Sequence, residues 1–592
     1  MTEDENRDIE KEESKGQQTS ALMMKGATIL VIAGIVSKIF GAIFRIPLTN
    51  MIGAEGQAYY SAAYALYMLL FTIATAGFPV AISRMVSSRI AEGDFINAHK
   101  SYRLAMRVSL ALGIVSFLIM YFGAGVIAGL YKNPGSEASM KAISVALLFT
   151  PMVASMRGYY QGRQNMKPTG ITEVIEQMVR VAAGLSLAFM FYKTSLVKAA
   201  AGATFGASAG IIAAFIAMMF IYARDKDART KLYESSVIRE ETDSSRLKEL
   251  LAFLIPITIG SAVMPIMFNI DAAIIPRRLL EAGFDRVMTD KLYGLMGGFC
   301  DPIINLPNIF IDAICISLMP AVTTAYTLKI KKDLDEHIKT GLKTMMIITY
   351  PCAIGLIVLA KPILTMLFYK KYDEAVMAVP ALQILAVSII TLAIMRTFST
   401  SLQGIGKMML PVWNLFIGAI VKAIVSYILL GIPAININGA AFGSVMAYVT
   451  AGILNYRALK KYTDVSLDVK SIFIKPLGAA LIMGVAAFAS YKLIYMILSS
   501  NSIATLVSIM FAAAVYFVAA FRTGAVTKEE VELIPKGELL YRLAVKLRVK
   551  IASKPQRKTG GKSTKIFKFQ RFLGLTYCKL IPIICIVYDT TC

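Results

Sequence analysis

Residues 27–46 read ATILVIAGIVSKIFGAIFRI, and every position except Lys38 and Arg45 is apolar or small. At 1.5 Å per residue, a helix of this length covers the roughly 30 Å hydrocarbon layer of a bilayer. Comparable apolar stretches recur to residue 521, and their lengths predict about 14 transmembrane helices. The expected fold class is an all-α polytopic membrane protein.

Composition agrees with this reading. Hydrophobic residues make up 56% of the 592, charged residues only 17%, and Trp413 is the one tryptophan. The mean hydropathy is +0.62, outside the range of a soluble domain. A net charge of +24 raises nucleic acid as a partner, but the basic residues occupy short loops and the C-terminal tail, where they suit anionic headgroups. Membrane lipids, and no nucleic acid, are the expected partners. Cys300, Cys315, Cys352, Cys578, Cys585 and Cys592 form no CxxC spacing, and His99 and His337 fall in expected loops. Neither a metal site nor a cofactor is expected.

Loop charge sets the expected orientation. Arg84, Arg89, Lys100, Arg103 and Arg107, then Arg157, Arg163 and Lys167, then the run 224–248, lie on one side. Basic residues are retained in the cytoplasm, so both termini are expected there. Residues 1–24 are expected to be a disordered lead-in.

Residues Gln161, Gly162, Met166, Pro168 and Arg180 recur as Gln403, Gly404, Met408, Pro411 and Lys422. Each set joins the fourth expected span of a half to the fifth. That correspondence reads as a parallel duplication of six helices. The expected domains are 25–223 (first lobe), a cytoplasmic linker at 224–249, 250–461 (second lobe), 462–522 (two further helices) and a basic tail at 523–592.

An ionisable side chain near the bilayer centre costs about 2.5–3.5 kcal/mol, so it tends to face a partner or a wet cavity. Lys38 and Arg45 share one helical face, and Arg180 and Lys422 are central in their spans; four cations facing one cavity would suit an anion such as a pyrophosphate. Against this, Glu176 and Arg180 are four apart and could neutralise each other, and Arg45 could snorkel. Asp271, Asp301 and Asp312 form an acidic set, suited either to ion coupling or to charge pairing. Prolines 256, 265, 302, 307 and 320 break the same spans, which places them beside a cavity. Gly202, Gly206 and Gly210 read as a packing stripe.

The runs RGYYQGRQNMKPTGITEVIEQMVRV (157–181) and VSKIFGAIFRIPLTNMIGAEGQAYYSAAYALY (36–67) resemble stage V sporulation protein B and related polysaccharide biosynthesis proteins. These belong to the multidrug/oligosaccharidyl-lipid/polysaccharide exporter superfamily, with the lipid II flippases. The resemblance implies two six-helix lobes in a pseudo-twofold V, two C-terminal helices grooved for a polyprenyl tail, and Lys38 and Arg45 at a pyrophosphate. It implies a bacterial plasma-membrane flippase, acting as a monomer on a lipid-linked saccharide, with cell-wall synthesis proteins as partners. The alternatives are a cation-coupled multidrug antiporter and a flippase for another lipid-linked polysaccharide unit. A membrane glycosyltransferase would need metal-holding acids, and the pair Asp225 and Asp227 sits in a mixed-charge linker instead. No enzyme activity is expected.

Overall fold

The computed structural model describes residues 3–526 apart from 227–229, 231–232, 235 and 238–239, with side chains described from residue 33 onward except 35, 38 and 42. Residues 527–592, including Cys578, Cys585, Cys592 and most of the expected tail, lie outside the described residues. The longer helices of the first part are α1 (Glu3–Thr75), α2 (Phe78–Ala91), α3 (Phe95–Leu130), α4 (Glu137–Gly162), α5 (Lys167–Phe191), α6 (Leu196–Arg224), α7 (Asp243–Glu281) and α8 (Arg286–Gly294). They continue as α9 (Asp301–Thr327), α10 (Lys331–Val358), α11 (Ala360–Leu367), α12 (Tyr372–Met377), α13 (Val379–Gly404), α14 (Met409–Leu430), α15 (Asn438–Tyr462), α16 (Lys475–Leu498) and α17 (Asn501–Arg522). No strand occurs among the described residues.

Among the described residues, twelve helical segments are long and apolar enough to cross a membrane. The difference from the expected count has two sources. Segment 39–91 takes in both of the first two expected spans, and α15, expected as a span, is not among the twelve. Within α1 the backbone breaks at Gly53, with φ 65° and ψ −170°. That left-handed φ is open to glycine without a steric penalty, so residues on either side form two helices meeting at a corner.

Helix α1 already begins at Glu3, inside the stretch expected to be disordered. The stretch is rich in Glu and Lys, good helix formers. One compact unit comprises 1–302 with 426–440, the other 303–425 with 441–592.

Local packing explains why α7 and α8 join the first unit. A methyl group on Gly77 would press on the Leu254 backbone, and one on Gly294 would run into the Ala54 carbonyl oxygen. Asn269 of α7 donates to the Ala65 carbonyl at 2.8 Å and accepts from the Tyr131 hydroxyl at 2.6 Å. The end of the linker is pinned too. Arg246 is 2% exposed and donates to Asn97 Oδ1 (2.8 Å), to the Glu241 carbonyl (2.8 Å) and to Asp243, while Arg89 binds Glu241 (2.9 Å) and Glu249 (2.7 Å).

In the second unit, Asn455 is fully buried. It accepts from Asn414 and donates to Ser399, both at 2.8 Å, tying α13, α14 and α15 together. Helices α16 and α17 are fastened through Asn501, which donates to Thr365 Oγ1 at 3.0 Å and accepts from the Tyr491 hydroxyl at 3.0 Å.

Candidate functional site: a paired-guanidinium cluster

After the Gly53 corner, Tyr60, Tyr64, Tyr67 and Phe71 fall at helical spacings that put them on one face of α1. Their rings form a column, with centroids 5.7, 5.7 and 5.6 Å apart in succession. Two guanidinium groups meet at its upper end. Arg45, from the arm of α1 before the corner, lies 4.9 Å from the Tyr60 ring centre and 5.8 Å from that of Tyr64. Arg180, from α5, lies 5.4 Å from Tyr64 and 6.0 Å from Phe44, and donates to the Tyr60 hydroxyl at 3.4 Å. A guanidinium over an aromatic face gains about 0.5–2 kcal/mol, more when desolvated.

The neighbouring backbone fixes both arginines. Arg45 Nη1 donates to the Gly297 carbonyl at 2.9 Å, and Thr49 Oγ1 donates to that of Gly298 at 3.2 Å. Both carbonyls belong to a π-helical turn at Leu295–Cys300, a feature frequent at functional sites. Arg180 is held by the α5–α6 packing expected from the glycine stripe: side chains at Gly206 and Gly210 would press on the carbonyls of Arg180 and Glu176.

Glu176 does not neutralise Arg180. It accepts from Arg157 of α4 at 3.0 Å, both side chains largely buried, and Arg157 also donates to Thr172 at 3.3 Å. Among the described residues no carboxylate pairs with Arg45 or Arg180. Both side chains are half-buried, and like charges held side by side out of full contact with water favour an anion or water between them.

The other expected residues are placed separately. Lys38 is on α1, but its side chain lies outside the described residues. Lys422, 3% exposed, is on α14 in the second unit. Asp271 is buried on α7, Asp301 opens α9, and Asp312 faces Arg396 at 3.9 Å in the second unit. Asp225 accepts from Arg163 rather than waiting for a metal, and Asp227 lies outside the described residues. No three His, Cys, Asp or Glu side chains among the described residues could hold a metal ion. Sequence reasoning missed Tyr60, Tyr64 and Arg157; the run of tyrosines at helical spacing was the available signal for the first two.

A bundle of long apolar helices with two half-buried cations beside a tyrosine column defines the class: a multi-span helical membrane protein. Residues 23–322, half of the chain, match the family model described as polysaccharide biosynthesis protein, and residues 297–428 match MatE. The chain belongs to the polysaccharide biosynthesis protein family. Among relatives in Bacillus subtilis (strain 168), it is 26% identical to the lipid II flippase MurJ, covering 79% of this chain and 88% of that one. It is 23% identical to stage V sporulation protein B, covering 88% and 99%. A multidrug resistance MATE family transporter of the MOP superfamily, inward-facing, shares the fold with a TM-score of 0.60 at 14% identity, covering 74% of this chain and 98% of that one. Lipid II flippase MurJ in an inward closed conformation does so with a TM-score of 0.58 at 18% identity, covering 83% and 98%.

Proposed function

We propose that the protein is a flippase that moves an undecaprenyl-pyrophosphate-linked saccharide, a lipid II-type peptidoglycan precursor, between the leaflets of a bacterial plasma membrane. The observation that carries this reading is the convergence of Arg45 and Arg180 on one pair of tyrosines without a carboxylate partner. Two guanidiniums so placed bind a diphosphate bidentately, and Lys38, seven residues before Arg45, adds charge on the same helical face. Alternating access needs affinity that differs between the inward and outward states, since equal affinity shifts no population. In this reading both termini are cytoplasmic, the protein acts as a monomer and not as an enzyme, and cell-wall synthesis proteins are its neighbours.

The test is rescue of a strain depleted of its lipid II flippases. Wild type should restore growth, while Lys38→Ala, Arg45→Ala and Arg180→Ala at matched membrane levels should not. Failure of the wild type would move the substrate to another lipid-linked polysaccharide unit.

A second reading, a cation-coupled multidrug antiporter, draws on the MatE match and on buried Asp271. It predicts the reverse: Asp271→Asn inactivates and Lys38→Ala is tolerated.

A further inference from the structure

Asp290, in the middle of α8, is 4% exposed, and its Oδ1 makes no hydrogen bond among the described residues. The residue is buried because α8 seats directly on the turn that follows the Gly53 corner, with Gly294 against Ala54. Facing it from that turn are Glu55 and Tyr59, whose hydroxyl donates to Glu55 Oε1 at 2.9 Å. On its own helix the charged neighbour is exposed Arg286. At the adjoining end of α7, Arg277, Arg278 and Glu281 are joined to one another.

A second buried polar group lies two residues from a contact with Tyr59. Gly135 lies against the Tyr59 ring, and Asn133, two residues earlier, is fully buried with neither amide atom hydrogen-bonded. Buried polar atoms in that condition are ordinarily satisfied by water or an ion. An ionised carboxylate buried beside a second carboxylate is strongly disfavoured, and such a group takes up a proton instead.

We propose that Asp290, backed by Glu55 and Tyr59, is a proton-binding site whose occupancy favours the seating of α8 on residues 54–61. Separation of the two segments would hydrate Asp290 and release the proton, so proton binding and seating are linked. The use of this linkage to drive transport rests on the flippase reading; the proton site does not, and its test needs no substrate.

The experiment is infrared difference spectroscopy of the purified full chain in lipid nanodiscs, comparing wild type with Asp290→Asn and Glu55→Gln. Burial pushes the Asp290 carboxyl up to about 6, so at a pH of about 5 the wild type should show a protonated-carboxyl C=O band that Asp290→Asn removes and Glu55→Gln keeps. Exchange of potassium for sodium at fixed pH should leave the band unchanged. Melting should agree. A carboxyl protonated in the fold stabilises most at low pH, so wild type should melt lower as pH rises from about 4 to about 6, between the free carboxyl's value and the raised one. Asp290→Asn should flatten this trend. Asparagine copies the neutral acid, so a variant that cannot fold would count against the proposal. So would an unchanged band, a band lost with Glu55→Gln, or a band abolished by sodium.

Discussion

Arg45 and Arg180 come from helices far apart in the chain and reach the same ring, that of Tyr64. Removing either should weaken pyrophosphate-lipid binding by about 10- to 100-fold, the loss expected for one charged hydrogen bond of roughly 1.5–3 kcal/mol. Lysine at position 45 should recover only part of this, because an ammonium lacks the planar fork. Titrating the purified variants with undecaprenyl pyrophosphate checks both statements. Glu176→Gln should instead act through Arg157, leaving a mostly buried cation unpaired; lower thermal stability in detergent is the expected readout. The sequence singled out Arg180 as a cation central in its span and Arg45 as one that shares a helical face with Lys38. Their setting was not legible, since the i,i+4 rule pointed Glu176 at Arg180 while the preceding helix, α4, supplied Arg157.

At the scale of elements, close approach at glycine decides where helices seat. Gly294→Ala should force α8 away from Ala54 and destabilise the protein by about 1–3 kcal/mol, as overpacking does; thermal unfolding of the purified variant measures it. Asn455→Ala should cost less, about 1 kcal/mol, because polar contacts in membranes average about 0.6 and reach about 1.7 kcal/mol. The glycine stripe of α6 and the spans themselves could be read from spacing and hydropathy. The corner at Gly53 could not, because its flanks read as two ordinary spans and nothing local shows that α8 packs on the turn between them. Each of the two Gln-Gly pairs ends a helix, α4 at Gly162 and α13 at Gly404.

For the whole molecule, hydropathy sufficed for a helical membrane bundle. It did not show that packing would group α7 and α8 with the first six helices, which depends on Asn269 and on Arg246 finding partners in α1 and α3. Arg246→Ala should therefore destabilise by about 3–5 kcal/mol, as breaking a buried ion pair does. Arg107→Ala, which removes an exposed pair with Asp243 at 3.7 Å, should cost under about 1 kcal/mol. Comparing their melting in the same detergent tests whether the end of the linker is structural.

The central claim is that Arg45 and Arg180 form an anion site for a lipid diphosphate. Its most direct test is binding to the full chain in nanodiscs of undecaprenyl pyrophosphate against undecaprenol, which has the same tail and no charge. The account predicts that wild type prefers the diphosphate and that the double variant Arg45→Ala/Arg180→Ala loses that preference while keeping the same weak binding of undecaprenol. Equal diphosphate binding by wild type and double variant would contradict it.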